Sequence, residues 1–483
     1  MCKNNGVRFV NGLYKICRVY TFHRKILKMY KKCRPFLLRT LVQSSVLALL
    51  SSPVFAASPA DIEAASQQAD QLQRLQQQQI LQDQRDLRPK GKSSEGVDIN
   101  AISPKVDASQ AEGKCRLISD IQVKGVTQLL TARLQEITHP FVGRCLGAPD
   151  VEQLLGEITR AYMLRGFVTT RVYLPAQDLS TGKLQLLVVE GRIEKIQLDT
   201  KGRSGFRLGN TIPAQVGDLL NLRDLEQGID QINRLQSNNA SFDIAPGSAP
   251  GMSDVIVRNE PGKFYRWNFS ADNQGSAATG KNQVGVNFSS DNALGISDFI
   301  MLTHRESLPL KDPGARSVSD ALMMTVPYGY NTFSYNGSAS TYRSTLQAPS
   351  GLALLSNGDS TTNAFGWDRL LYRNQSTRFN LTGTFTMKDT KNYLASQYLG
   401  VSSRKLSMLD LDGSFSTGWG GGVLGLNLGW SQGIRAAGAL LDPVGLPDFA
   451  PRAQFKKLKY GASYFVPFKA AGQDWTFSSN LTG

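Results

Sequence analysis

Residues 165–198 decide the fold, and they read RGFVTTRVYLPAQDLSTGKLQLLVVEGRIEKIQL. The segment begins with an extended arm over residues 168–174 and continues into a turn region containing Pro, Asp, Ser, Thr and Gly. A second strand follows at residues 183–189, and Gly191 then ends it. Its alternate positions are apolar: Leu184, Leu186 and Val188. The pattern predicts a β-hairpin.

The segment before the hairpin predicts an amphipathic helix that starts near Pro149 and stops at Gly166. Its apolar residues recur with helical spacing: Val151, Leu154, Leu155, Ile158 and Tyr162. Upstream, residues 117–123 predict a strand. A second helix is predicted from the spacing of Leu130, Leu134 and Ile137. The order strand, helix, helix, strand, strand is that of a compact α+β module.

This module resembles a POTRA domain, the periplasmic module of outer-membrane protein-translocating barrels. Three pieces carry a closer resemblance: GFVTTRVYLPAQDL at 166–179, GKLQL at 182–186 and VEG at 189–191. They are similar to two-partner secretion transporters of the haemolysin and filamentous-haemagglutinin type, the TpsB or ShlB/FhaC/HecB family. An unrelated α+β domain is the alternative interpretation.

The amino terminus predicts an export signal over residues 1–57. The first 40 residues contain eleven Lys and Arg and no acidic residue, so 15 − 11 leaves a net charge of +4 for the rest. The positive net charge of the whole chain therefore does not indicate a nucleic-acid partner. A short apolar core, too short to span a membrane as a helix, precedes a small-residue cleavage site at Ala56 or Ala57. Met29 would give a more ordinary signal peptide, and we favour it as the true start.

Two cysteines remain after removal of the signal, Cys115 and Cys145. An oxidising periplasm would join them across the first strand and helix of the α+β module. Closing that loop would stabilise the module by roughly 3 kcal/mol, because it removes chain entropy from the unfolded state. Two buried free thiols are the alternative, and the matching pair that the family resemblance implies favours the bridge. No metal site is predicted, because His139 and His304 lack neighbours at ligand spacing.

Residues 58–80 are rich in Gln and predict a helix that is polar nearly all round, with Ser58 as its N-cap and Pro59 in its first turn. At 1.5 Å per residue it would reach roughly 35 Å, enough to cross a bilayer inside a polar pore. Residues 81–114 have no periodicity and predict a flexible linker. The family resemblance implies that the helix is a plug in a barrel lumen. A coiled coil or a disordered arm is the alternative.

A second POTRA-like module is predicted over residues 192–261, after the first over residues 115–191. Its helix would begin at Asn221, with Asp224 at capping-box distance. Its strands are predicted at 193–198, 241–244 and 255–258. Exposed sheet edges of such modules can add a strand from an unfolded client through backbone hydrogen bonds, which requires no catalytic residue.

From residue 262 to residue 483, segments of alternating apolar and polar residues are separated by turns. One segment places Phe379 and Leu381 on one face, and Asn380 and Thr382 on the other. This alternation is typical of an antiparallel transmembrane β-barrel with an apolar lipid side and a polar lumen. A soluble β-sandwich is the alternative.

About eleven strands are predicted, beginning near residues 265, 282, 298, 319, 332, 362, 376, 405, 422, 454 and 474. Four stretches among them resemble the same transporter family: DNQG at 272–275, DNALG at 291–295, VPYGYN at 326–331 and SSRKLS at 402–407. The family has about sixteen strands, an even number as single-chain bacterial barrels require, and a Val-Arg-Gly-Tyr motif that does not occur after Gly262. We therefore expect an incomplete barrel, from a truncated product or a fragment.

The resemblance implies a pore in the outer membrane of a Gram-negative bacterium, with the N-terminal modules in the periplasm. Its partner would be an unfolded TpsA-type exoprotein, either a haemolysin or a filamentous-haemagglutinin-like adhesin. The modules would capture this partner and the barrel would translocate it as the plug leaves. The other contact is outer-membrane lipid, and we expect a monomer that is inactive in the truncated form.

No enzyme and no cofactor are predicted, since no nucleophile–base pair, paired carboxylates or Gly-rich nucleotide loop stands out from the sequence. Two other functions would use part of the same domain architecture. A BamA-like assembly factor would insert other barrels, and a passive diffusion channel would not require the modules.

Overall fold

The computed structural model describes residues 62–69, 71, 115–200, 208–347, 351–447, 450–470 and 472–483. The predicted signal with Ala56 and Ala57, and the predicted linker over 81–114, lie outside these residues. Of the predicted helix over 58–80, residues 62–69 form helix α1. Among the described helices, none has the length and apolar character needed to cross a membrane.

The first module contains five short strands and two helices: β1 (Arg116–Ile118), β2 (Asp120–Lys124), α2 (Thr131–Thr138), β3 (Arg144–Leu146), α3 (Ala148–Leu164), β4 (Arg171–Tyr173) and β5 (Lys183–Val189). β5 lies between β2, to which it is parallel, and β4, to which it is antiparallel. The single strand predicted over 117–123 is wrong, because the backbone N–H of Ser119 turns to the Gly182 carbonyl and β1 pairs with β3 instead. Of the extended arm predicted over 168–174, only β4 forms a β-strand. The residues before β4 form a turn, because the N–H of Thr170 donates to the Phe167 carbonyl.

Helix α3 begins and ends where its sequence predicts. The Asp150 carboxylate accepts the Gly147 N–H at 2.8 Å, and Gly166 takes a φ of 95° after the last turn. The predicted apolar face supplies the core, with Leu154, Ile158 and Tyr162 fully buried. They belong to one cluster with three residues of β5: Leu184, Leu186 and Val188. Burial of this face explains why the hairpin and the helix form together.

The described residues of the second module, 192–200 and 208–261, form three strands and two helices: β6 (Arg192–Thr200), α4 (Leu208–Thr211), α5 (Leu222–Asn233), β7 (Ala240–Pro246) and β8 (Met252–Asn259). β8 is the central strand, parallel to β6 and antiparallel to β7. The Asn221 side chain accepts the Arg223 N–H at 2.9 Å and caps α5 as predicted. The predicted capping box is wrong in its second half, because the Asp224 carboxylate accepts a hydrogen bond from the Tyr330 hydroxyl.

The remaining strands form one large antiparallel sheet: β9 (Tyr265–Asp272), β10 (Asn282–Asp291), β11 (Phe299–Leu308), β12 (Arg316–Tyr328), β13 (Asn331–Gln347), β14 (Ala353–Arg373), β15 (Thr377–Leu394), β16 (Gln397–Tyr398), β17 (Arg404–Trp419), β18 (Gly422–Gly433), β19 (Lys456–Ala470) and β20 (Gln473–Thr482). β16 is a short strand beside β15, and the other eleven follow one another in chain order. The predicted fold class, two α+β modules followed by a large antiparallel sheet, is confirmed. Within the described residues, β9 pairs only with β10 and β20 only with β19, so the sheet is not closed.

The polar face of the sheet is more buried than its apolar face. On β10, Gln283 and Asn287 are buried, whereas Val286 and Phe288 between and beside them are partly exposed. On β17, Leu409 and Leu411 are exposed. A soluble sheet would bury its apolar face, so the alternative of a β-sandwich fails. We call the face that carries Asn287 the inner face and the face that carries Val286 the outward face.

Candidate functional site

Helix α1 lies against the inner face of the sheet. Ala65 is fully buried in a cluster with Leu354, Leu394 and Leu399. Ala69 is buried against Tyr342. Because both helix residues are alanines, the helix backbone can approach the sheet closely. The structure thus places part of the predicted plug segment on the inner face.

The part of the inner face that α1 contacts, which we call the seat of α1, is supported by a network of hydrogen bonds. The Asn392 side chain is fully buried; it accepts the Tyr342 hydroxyl at 3.0 Å and donates to the Ser402 carbonyl at 2.9 Å. The Ser403 hydroxyl donates to the Leu399 carbonyl at 2.7 Å. These bonds fix the connection between β15 and β17, including the family-like stretch at 402–407, against α1.

The second module is joined to the other end of the strands through the turn between β12 and β13. The Gly329 N–H donates to the Asn210 carbonyl at 2.9 Å, and the Gln231 amide donates to the Gly329 carbonyl at 3.2 Å. The Tyr330 hydroxyl donates to Asp224. Burial raises the pKa of the Asp224 carboxyl, against the lowering effect of this bond. The family-like VPYGYN stretch is therefore the turn that receives α5.

Buried charges hold the same contact. Arg373, at the end of β14, has a side chain that is only 4% exposed, and it donates to Glu226 at 3.1 Å and to Asp230 at 2.5 Å. Arg223 reaches the same Glu226 at 2.6 Å, and Arg378 reaches Asp230 at 3.2 Å. Buried carboxylates of this kind are tolerated only when paired. We call these residues the junction network.

A second attachment lies beyond the end of α5. Leu235 is fully buried in a cluster with Phe299, Met301 and Met323 of the sheet. The Ser237 N–H donates at 2.8 Å to the Asp291 carboxylate, which also pairs with Arg266 at 2.7 Å. Two separate attachments restrict rotation about either one, so the second module is fixed to the end of the sheet.

The two modules also interlock with each other. The Leu222 N–H donates to the Gly166 carbonyl at 2.8 Å. Val168 packs against the core of the second module, although it lies in the first. Gly191 leaves no room for a side chain, since a Cβ there would lie 2.0 Å from the Thr169 hydroxyl oxygen. The stretch that decides the first module thus also sets its position relative to the second.

The free edges of the two module sheets differ in chemistry. At β4 the outer surface is apolar and exposed: Tyr173 is 50% exposed, Leu174 45%, and Leu187 beside them 41%. The edge at β2 carries Lys124, and the edge at β7 carries Asp243, which pairs with Arg258 at 2.6 Å. Charged residues discourage strand addition at an edge. β4 itself carries the exposed Arg171, whose guanidinium donates to the Val168 carbonyl. What distinguishes β4 from the edges at β2 and β7 is therefore its exposed apolar surface, which makes it the best suited of the three to an added strand.

The backbone of β4 presents hydrogen-bonding groups on this open side. The Gln177 amide donates to the Gln185 carbonyl and accepts the Gln185 N–H, both at 2.7 Å, so the backbone of Gln185 faces β4. Backbone groups alternate along a strand, so those of Leu187 also face β4, and Leu187 pairs with Tyr173. The N–H and C=O of Val172, one residue away, consequently point outward.

Cys115 and Cys145 are bonded in the structure, with their Cα atoms 5.2 Å apart. The bridge lies at the pair of β1 and β3, where Leu117 is opposite Cys145. Within the described residues, no three His, Cys, Asp or Glu side chains are grouped so that they could hold a metal ion.

Sequence reasoning missed the junction network. The apolar face of α5 was visible from its spacing, but its polar face also is buried, including Glu226, Gln227 and Gln231. The pair Glu226 and Asp230, one helical turn apart, resembles an ordinary solvated face, so the sequence carries no signal for its burial.

The family described as haemolysin secretion/activation protein ShlB/FhaC/HecB matches residues 251–483. The ShlB-type POTRA domain matches residues 117–191, and a further POTRA domain matches residues 192–246.

Two curated relatives are outer membrane transporters named CdiB. The one from Dickeya dadantii (strain 3937) is 33% identical over 371 residues, 76% of this chain and 65% of the relative. The one from Escherichia coli O6:K15:H31 (strain 536 / UPEC) is 33% identical over 418 residues, 86% of this chain and 69% of the relative. The haemolysin transporter protein ShlB of Serratia marcescens is 33% identical over 344 residues, 70% of this chain and 60% of the relative.

A solved structure of CdiB from Escherichia coli superposes with a TM-score of 0.73 at 31% identity, covering 89% of this chain and 77% of that one. The chain spans between 60% and 69% of the length of these three curated relatives.

Proposed function

Because the chain belongs to the ShlB/FhaC/HecB family of two-partner secretion transporters, we propose that it captures an unfolded exoprotein in the periplasm and delivers it to the inner face of its sheet in the outer membrane. The observation that supports this proposal most directly is that the edge at β4, the two modules and the sheet are joined to one another. An edge open to strand addition lies in the first module, the first module interlocks with the second, and buried contacts fix the second to the end of the sheet.

Capture would occur by strand addition at β4. The outward N–H and C=O of Val172 offer two backbone hydrogen bonds, and Tyr173 and Leu187 offer apolar surface to alternate side chains of an added strand. This mode needs no fixed sequence in the partner, which suits an unfolded polypeptide. The Serratia marcescens relative is named a haemolysin transporter, so a haemolysin-type or adhesin-type exoprotein is the proposed partner.

Helix α1 would occupy the path until the partner arrives. Its seat consists of contacts of Ala65 with three leucines and of Ala69 with Tyr342 on the inner face. Both alanine side chains are small, so each of these two contacts buries little apolar surface and would cost little for a passing chain to replace. The helix is thus proposed as the plug.

Translocation requires a closed path, and the sheet in the described residues is open between β9 and β20. Unpaired edge groups in lipid cost several kcal/mol each. Capture at β4 does not require a closed sheet, so we expect the described residues to bind the partner as a monomer, whereas the translocation step needs the closed path.

Site-specific photocrosslinking tests this function. A photoreactive residue at Tyr173 in the full chain should crosslink to the amino-terminal region of the haemolysin that the Serratia marcescens relative transports. The matched control places the same residue at Ser241, on the exposed face of β7. Crosslinking at 173 without crosslinking at 241 supports capture at β4; equal yields at both positions, or none at either, contradict it.

A further inference from the structure

The outward face of the sheet carries a groove of about 590 Å³. One wall consists of the Trp267 and Phe288 rings, whose centroids are 4.7 Å apart, and the opposite wall is Tyr335. Between them the floor is lined by small and aliphatic residues: Leu302, Leu322, Gly337 and Ala339. The volume lies within the range of about 300–1,000 Å³ that small-molecule sites occupy in proteins.

The walls are held in place by the protein. The Tyr335 hydroxyl donates to the Asn363 amide oxygen at 2.7 Å, and its ring lies 5.1 Å from that of Phe365. On the other side, the Trp267 ring stacks on Phe269 with centroids 6.4 Å apart. Trp267 and Tyr335, one on each wall, thus each have a ring contact outside the groove, which keeps the space between the walls open.

One end of the groove is polar. His304 and Asp320 line it there, and their Nδ1 and Oδ1 atoms are 2.8 Å apart. Glu306 and Arg316, paired at 2.7 Å, lie beyond them toward the same ends of β11 and β12. The apolar floor and the polar end together match the two parts of an amphiphile.

We propose that this groove binds one fatty acyl chain of a membrane lipid, with the polar part of that lipid beside His304 and Asp320. The inference rests on the outward face meeting the membrane, as the exposure of its apolar residues indicates. Continuity with that face favours a lipid over a polypeptide or a soluble ligand. Since lipid tails are as apolar as the groove, retention depends on the fit between fixed aromatic walls rather than on hydrophobic burial.

Native mass spectrometry can test the proposal with the full chain, reconstituted in vesicles of phosphatidylethanolamine and phosphatidylglycerol and then extracted into detergent. The wild-type chain should retain one phospholipid. Ala339→Leu should lose this species, because the larger side chain occupies the floor. Trp267→Ala should also lose it, because it removes a wall. The matched control is Ala462→Leu on the outward face of β19, outside the groove, which should retain the lipid.

Flotation of the vesicles separates the two possible failures. If the wild-type chain floats with the vesicles but keeps no lipid, or if Ala339→Leu keeps as much as Ala462→Leu, the groove proposal is wrong and the proposed secretion function is untouched. If the wild-type chain does not float, the outward face does not meet lipid, and both are contradicted.

Discussion

The junction network makes a quantitative prediction for Arg373→Ala. The substitution removes the bonds to Glu226 and Asp230 from a site where the arginine and Glu226 side chains are only 4% and 3% exposed. Removing one partner of a buried ion pair costs about 3–5 kcal/mol. Glu226 keeps Arg223 and Asp230 keeps Arg378, so we take the lower value, about 3 kcal/mol. That value corresponds to roughly a 100-fold shift toward the undocked module.

Hydrogen exchange at the Gly329 amide measures this shift directly, because its bond to the Asn210 carbonyl crosses the junction. Exchange through local opening should become roughly 100-fold faster in Arg373→Ala. The control is Arg316→Ala, which removes a more exposed arginine paired with Glu306 and should change the same amide by less than about tenfold. Equal effects of the two substitutions would show that the junction network does not hold the second module.

Three further results are expected. Because burial raises the pKa of Asp224 in the folded chain, the protonated carboxyl is favoured there; the contribution of Asp224 to stability should be fully present below its usual pKa of 3.8 and be lost as the pH rises through the raised value, which gives a falling slope. Asp224→Asn should remove this slope in unfolding midpoints measured at several pH values, and a persisting slope would assign it to another group. Cys115→Ser and Cys145→Ser should each destabilise the first module by roughly 3 kcal/mol in urea unfolding, and the double variant by no more; unequal effects would contradict a shared bridge. Ala65→Leu should overpack the seat of α1 by about 1–3 kcal/mol and speed proteolytic cleavage at that helix, whereas Gln67→Leu on its exposed side should not; equal cleavage would place the helix elsewhere.

The parts of the fold that depend on periodicity could be predicted from the sequence. The spacing of Leu154, Ile158 and Tyr162 gave the core helix of the first module, and the alternation around Leu381 gave the strands of the sheet. These signals are local, because each element buries or exposes one face regardless of its partners. The break of the first strand at Ser119 was not predictable, since it depends on the distant Gly182 carbonyl.

The candidate site was only partly predictable for the same reason. The polar composition of residues 58–80 predicted the helix that contains α1. The resemblance to the family singled out the VPYGYN stretch. Neither indicated that the turn receives α5 or that Arg373 pairs with Glu226, which lies 147 residues earlier. Contacts between distant polar residues leave no periodic trace, so the junction between module and sheet emerges only from the structure.

The most direct test of capture at β4 is the affinity of the full chain for the amino-terminal region of the Serratia marcescens haemolysin, with Val172→Pro and Val172→Ala compared. Proline removes the outward N–H and is tolerated on edge strands, whereas alanine keeps that N–H and changes only the side chain. Loss of one backbone hydrogen bond, about 1–1.5 kcal/mol, should weaken binding by roughly tenfold in Val172→Pro. Val172→Ala should bind nearly as the wild-type chain does. Binding by Val172→Pro that equals the wild type would contradict strand addition at this edge.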